Sequence, residues 1–158
     1  MENTLTAKDS SLVVKGIYHC PIYYEDTDFS GFVYHAAYLK FFERAREHLI
    51  GIKKIKELFS QHLHVVVHKL EINYHQPLSH GDYAVIHTAA KLKRGPRITF
   101  EHKLHRTTDD PTEIINQFDF DKSTLSVSAT VHAALLQGSK IARLNGCDLF
   151  AVPTLPTS

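Results

Sequence analysis

The chain predicts an α+β fold in which a curved antiparallel sheet wraps around one long helix. Residues 35–50 form its best helical stretch, with Tyr38, Phe42, Ala45 and Leu49 recurring at +4, +3 and +4 on one face. After residue 61 the texture changes to four runs rich in β-branched and aromatic residues, a meander rather than an alternation of strands and helices. A long, largely apolar helix among long antiparallel strands is most easily buried if the sheet curls around it.

Residues 1–11 are polar and read as a flexible arm. Residues 12–24 read as a strand, with Val14, Tyr18, Cys20, Ile22 and Tyr24 on one parity and Pro21 at an edge or irregularity. The polar turn 25–31 leads to the helix, and Gly51 stands where a helix-ending glycine belongs. A shorter helix carries Ile52, Ile55 and Phe59. Strands are expected over 63–75, 83–93, 97–106 and 125–137, with a long connection over 107–122 and a tail over 151–158. The domain proper spans 12–150.

A length of 158 residues suits one domain, large enough to bury a core without staples. The composition, 43% hydrophobic and 22% charged, is that of an ordinary globular chain. Eighteen basic against 17 acidic side chains leave a net charge of +1, which argues against a nucleic-acid binder working by bulk electrostatics. The two cysteines, Cys20 and Cys147, are too few for a disulfide scaffold and fit no zinc spacing, so a reducing cytoplasm is the default. No apolar run approaches the roughly 18 residues of a membrane span, and the first twelve residues lack a signal-peptide layout.

The turn Asp26-Thr27-Asp28-Phe29-Ser30-Gly31 matches the first half of a calcium loop, but the twelfth position, which needs a bidentate Glu, is Ala37. Two readings stay open from local sequence: a plain turn held by Asx hydrogen bonds, or a reactive site. A carboxylate between a strand and a helix N-terminus lies beside backbone N–H groups that can hold a developing oxyanion. That placement supplies both halves of acyl transfer. No serine elbow, Cys/His signature or HExxH motif competes with it. His62, His64 and His68 share one parity of a strand and read as solvent-facing residues rather than metal ligands.

The string Tyr23-Tyr24-Glu25-Asp26-Thr27-Asp28-Phe29-Ser30-Gly31-Phe32-Val33-Tyr34-His35-Ala36-Ala37-Tyr38, continued by Phe41-Phe42-Glu43-Arg44-Ala45-Arg46, closely resembles the hot-dog-fold acyl-CoA thioesterases of the 4-hydroxybenzoyl-CoA thioesterase type. It is similar above all to the bacterial subgroup encoded with the Tol–Pal envelope system. Weaker agreement runs through Val66-Val67-His68-Lys69, the turn 77–82 and Arg94-Gly95, covering roughly residues 15–107 and, loosely, 123–137.

The resemblance implies a hot-dog fold that hydrolyses acyl-CoA, or acyl carrier protein, thioesters without metal or cofactor. It makes Asp28 the catalytic carboxylate, attacking the thioester carbonyl or activating a water. His35 falls at the helix start, where the family's backbone amide polarises the thioester oxygen, and Tyr24 matches a site tyrosine. Gly31 serves backbone shape, allowing a tight approach before the helix. Arg94 and Arg97 are candidates for the phosphates of CoA, although the family usually has a small hydroxyl residue at position 97. Glu43 reads as a structural carboxylate paired along the helix with Lys40 or Arg44.

A homodimer or homotetramer is implied, with sheets joined edge to edge and each site between subunits. Two stretches depart from the family pattern. The connection 107–122 is longer than the expected hairpin, and its Ile114, Ile115, Phe118 and Phe120 must pack on something: an edge strand, a partner or a lid. The chain after residue 137 lacks the usual ending. A non-hydrolytic acyl-binding or scaffold protein of the same fold is the alternative reading.

Overall fold

The computed structural model describes residues 12–92, 95–142 and 149–150. The expected arm 1–11, the tail 151–158 and Cys147 therefore lie outside the described residues. The elements are β1 (Leu12–Pro21), α1 (Ala37–Ile50), α2 (Ile52–Ser60), β2 (Leu63–Tyr74), β3 (Tyr83–Leu92), β4 (Arg97–Thr107), β5 (Thr124–Gln137) and β6 (Lys140–Ile141). The sheet is antiparallel throughout, in the order β1-β3-β4-β5-β2, with short β6 added against β5.

The expected curling has its cause in α1. Tyr38, Phe41, Phe42, Ala45 and Leu49 recur at helical spacing, and all are buried. Toward one end, Tyr38, Phe41, Phe42 and Ala45 pack with Ile86, Leu104 and Val127 of the sheet. Toward the other, Leu49 and Ile50 join Val14, Phe100, Val131 and the distant Leu149 and Phe150. Gly51 ends the helix at φ 91°, a conformation glycine adopts without a Cβ penalty.

One polar chain crosses this core. Arg46 is buried, and its guanidinium bonds the Glu43 carboxylate on one side and faces His102 Nε2 at 3.2 Å on the other. A guanidinium only donates, so Nε2 accepts and the proton sits on Nδ1, which donates to Thr88 Oγ1 at 2.9 Å. The ring stacks on Phe42, centroids 4.8 Å apart. Glu43 thus pairs with Arg46, not with Lys40 or Arg44, because His102 draws Arg46 inward.

The first strand is shorter than expected. Pro21 closes it, and Tyr24–Asp26 form a single tight helical turn, so Tyr24 leaves the strand parity. His62 sits in the turn before β2, at φ 58°, while His64 and His68 are exposed on the strand. The long connection after β4 folds back over the sheet face opposite α1. There Phe120 meets His105 and His87 edge-on, centroids 5.1 and 5.7 Å away, and Ser123 Oγ lies 2.7 Å from His105 Nδ1. It is neither an edge strand nor a cover for the turn 25–31.

Burial, and secondarily the charge of Arg46, push the His102 imidazole down to about 3. Unfolded, it takes a proton near pH 6.5. Between those values the unfolded chain binds the extra proton, so this stabilisation is whole above pH 6.5 and is lost as pH falls toward 3. His87 and His105, also lowered first by burial, act in the same direction. Urea unfolding of His102→Gln should therefore show a shallower loss of stability between pH 6 and pH 4, by up to about 1.4 kcal/mol per pH unit. Equal slopes in variant and wild type would remove His102 from the acid response.

Candidate active site

The turn 25–31 and the start of α1 form one hydrogen-bonded unit. Asp26 N–H donates to Tyr23 C=O and the Asp26 carboxylate accepts from Tyr23 N–H at 2.9 Å, while Asp26 C=O accepts from Tyr34 N–H. Asp28 N–H then donates to Phe32 C=O, and Gly31 N–H to Asp28 C=O, which closes a small loop. Gly31 has φ 84°, and an added Cβ would meet nothing within 4 Å. Glycine is needed there for its dihedral angle, not to make room for a close approach.

The loop is tied to the rim of the sheet. Phe32 bridges Ser79, and Val33 N–H donates to Leu78 C=O. The turn holding Ser79 is itself pinned by the buried Asp82 carboxylate, which accepts Ser79 N–H at 2.7 Å and pairs through both oxygens with Arg106, at 2.8 and 3.1 Å.

Two aspartates in this loop are therefore separated by environment. Asp26 is buried and spent on backbone. Asp28 is exposed, and its Oδ1 accepts from Ser30 Oγ at 2.5 Å and Ser30 N–H at 2.8 Å. The Ser30 hydroxyl, then the Ser30 amide and the nearby charge of His35, hold the Asp28 carboxyl below its ordinary value. It is ionised at neutral pH with its second oxygen open.

The first turn of α1 leaves donors unused. Ala37 N–H bonds Tyr34 C=O and Leu39 N–H bonds Ala36 C=O, both three residues back, whereas the amides of His35 and Ala36 have no acceptor among the described residues. The carbonyl of His35 is taken from outside the helix, by Tyr74 O–H at 2.9 Å. The structure thus brings Asp28 and His35 together. Tyr24 is 81% exposed and turns its ring edge toward His80, with no hydrogen bond from its hydroxyl to Asp28 among the described residues.

Arg97 is exposed at the start of β4, and Arg94 lies outside the described residues. Grooves lie elsewhere, among them one of about 400 Å³ beside Tyr18, Arg44 and Gly51 that stops short of Asp28. Another, of about 720 Å³, follows the β1 edge past Lys15, His19 and His48, and one of about 250 Å³ lies between α1, α2 and β2; neither reaches Asp28. Among the described residues, no cluster of three or more His, Cys, Asp or Glu could hold a metal ion, and no helix is long and apolar enough to cross a membrane. Sequence reasoning missed Ser30 and Tyr74. The Asp-x-Ser spacing was a readable signal for the first; nothing local marks the second.

Comparison with known proteins bears on the family and the fold. A family model described as the thioesterase-like superfamily matches residues 23–136. An acyl-CoA thioesterase, YbgC of Haemophilus influenzae, is 42% identical over 90 residues, which cover 55% of this chain and 66% of that protein. The acyl-CoA thioester hydrolase YbgC of Escherichia coli is 34% identical over 85 residues, covering 52% and 63%. The matched stretches span less than two thirds of either relative. Among solved structures, a probable thioesterase from Bartonella henselae shares 29% identity at a TM-score of 0.61, over 83% of this chain and 98% of that one. A 1,4-dihydroxy-2-naphthoyl-CoA thioesterase from Synechocystis superposes with a TM-score of 0.67 over 82% and 89% of the two chains, at 17% identity, a likeness of fold.

Removing the Ser30 hydroxyl by Ser30→Ala takes away the first cause of the Asp28 shift. The carboxyl should then titrate higher, closer to an ordinary aspartate, in a ¹³C NMR titration of its side-chain carbon. An unmoved midpoint would discard Ser30 as the group that lowers the Asp28 titration.

Proposed function

The chain belongs to the thioesterase-like superfamily, and on that premise we propose that it hydrolyses acyl-CoA thioesters to the free carboxylic acid and CoA. One observation carries the reading. In the loop before α1, Asp28 is an ionised carboxylate with an oxygen free, next to a helix N-terminus whose leading amides have no acceptor among the described residues. The relatives named as acyl-CoA thioesterases supply the substrate class.

The chemistry follows from that pairing. The free Asp28 oxygen attacks the thioester carbon, or takes a proton from a water that does so. In either course the carbonyl oxygen becomes an oxyanion, accepted by the His35 N–H and favoured by the positive end of the α1 dipole. Collapse breaks the C–S bond, and the thiolate leaves as CoA once protonated. Water supplies the hydroxyl of the acid, directly or by opening the mixed anhydride. A thioester carbonyl is already electrophilic, so a positioned carboxylate and N–H donors suffice. Arg97 and Arg94 are the cations proposed to meet the phosphates of CoA.

Asp28 faces open surface in the single chain, and the cleft is completed by a second copy. The outer edge of β2 has no strand neighbour among the described residues and carries exposed Val66, Val67 and Tyr74. An uncovered edge with apolar side chains is a template for pairing, and a homodimer joined there would wall the substrate. The buried thiol of Cys20, pushed up to about 11 chiefly by burial, suits a reducing cytoplasm.

A thiol-release assay over short, long and aromatic acyl-CoAs, and over acyl carrier protein thioesters, tests the activity. Wild type should turn over at least one of them, and Asp28→Asn should lower kcat by about a hundredfold or more. Binding without turnover by both proteins would favour the acyl-binding alternative, and full activity of the variant would reject Asp28. Light scattering should give at least twice the chain mass, and Val67→Asp at the β2 edge should lower mass and kcat together. A fully active monomer would reject the shared cleft.

A further inference from the structure

The Ala36 amide is the neighbour of the proposed His35 donor, and one side chain controls it. A carbonyl and the following N–H belong to a single planar peptide group. The His35 C=O and the Ala36 N–H are such a pair. In a regular α-helix the His35 carbonyl would accept from Leu39 N–H, but Leu39 N–H goes to Ala36 C=O at 3.2 Å instead. The vacated carbonyl is claimed by Tyr74 O–H at 2.9 Å, from a residue 39 positions away on β2. Ala36 has helical dihedrals, φ −78° and ψ −18°, so its free N–H runs with those of the first turn and out of the helix end.

We propose that Tyr74 is a positioning residue for hydrolysis: its hydroxyl fixes and polarises the His35–Ala36 peptide so that Ala36 N–H serves as a second donor to the thioester oxyanion. This rests on the hydrolase reading above and adds to it a second amide and the side chain that aims it. Donation to a peptide carbonyl strengthens the N–H of the same peptide group as a donor, since bonds in a chain polarise one another. It also removes the rotation that would let the amide swing away as charge develops, which is how preorganised donors act. The Tyr74 ring is itself held, its edge against Tyr38 with centroids 5.8 Å apart, and Tyr38 is buried under the first turn.

The role predicts a split that a mere packing contact would not produce. The ring of Tyr74 is half exposed, and Tyr74→Phe keeps its contact with Tyr38 while deleting only the hydroxyl. The full-length variant should lose about tenfold in kcat, keep KM within about twofold, and melt with wild type. In ¹⁵N–¹H spectra without substrate, the Ala36 amide nitrogen should move upfield while amides in β4 stay in place. Unchanged kcat beside an active wild type, or an Ala36 resonance that does not move, would overturn the assignment, as would a rise in KM that accounts for the whole loss. Wild-type protein inactive on every thioester would overturn the hydrolase reading instead, and the Ala36 resonance would still report whether the bond to Tyr74 exists.

Discussion

Burial of one helix face is the constraint from which the other features follow. Phe41 and Phe42 are wholly excluded from water, with Tyr38, Ala45 and Leu49 beside them, and each large side chain of this kind contributes about 1.5–3 kcal/mol. A flat sheet would leave much of that surface wet. Curling places β1 beside α1, brings Leu104 and Val127 under its first half and Phe100 and Val131 under its second. It also fixes where α1 begins. The first turn emerges at the sheet rim, against the turn 77–82, and the open amides and the Asp28 loop are delivered to one place.

The rim is built from polar interactions because the helix end cannot be buried without partners. Arg106 holds Asp82, Asp82 holds Ser79, Ser79 meets Phe32, and Phe32 C=O takes Asp28 N–H. Each link spends a carboxylate or an amide on structure. Asp26 is buried and accepts from Tyr23 N–H, whereas Asp28 is exposed and accepts from its neighbour Ser30, so the same chemical group acts as scaffold at position 26 and is the proposed reagent at position 28. Exposure separates the two environments, and the Ser30 donors lower the titration of the exposed carboxyl.

Much of this was legible in the linear chain. Helical period and glycine punctuation located α1 to within two residues, because burial of one face imposes that period whatever the partner. The strands were legible for the same reason, and the YYEDTD string pointed to the family. What escaped depends on register between distant segments. Pro21 ends β1 early because the chain must turn into a tight helical loop, which swings Tyr24 outward. Glu43 binds Arg46 because of His102, 56 residues further along. The bond from Tyr74 to His35 exists only when β2 has been laid beside β5 and α1 across it. Local rules list the partners a side chain can reach on its own helix or strand, and these partners are reachable only after folding.

The connection between β4 and β5 shows where such a fold can grow. Its apolar grip, Phe120 on His87 and His105, lies across the sheet from α1. The Asp28 loop occupies the rim and β2 lies at the sheet edge, so the face opposite α1 is the one the connection covers. Lengthening a loop costs only slowly increasing entropy, and here the added residues recover part of it by covering a face otherwise left to water. The segment is therefore free to differ in length and composition without disturbing the loop before α1 or the pairing of β2.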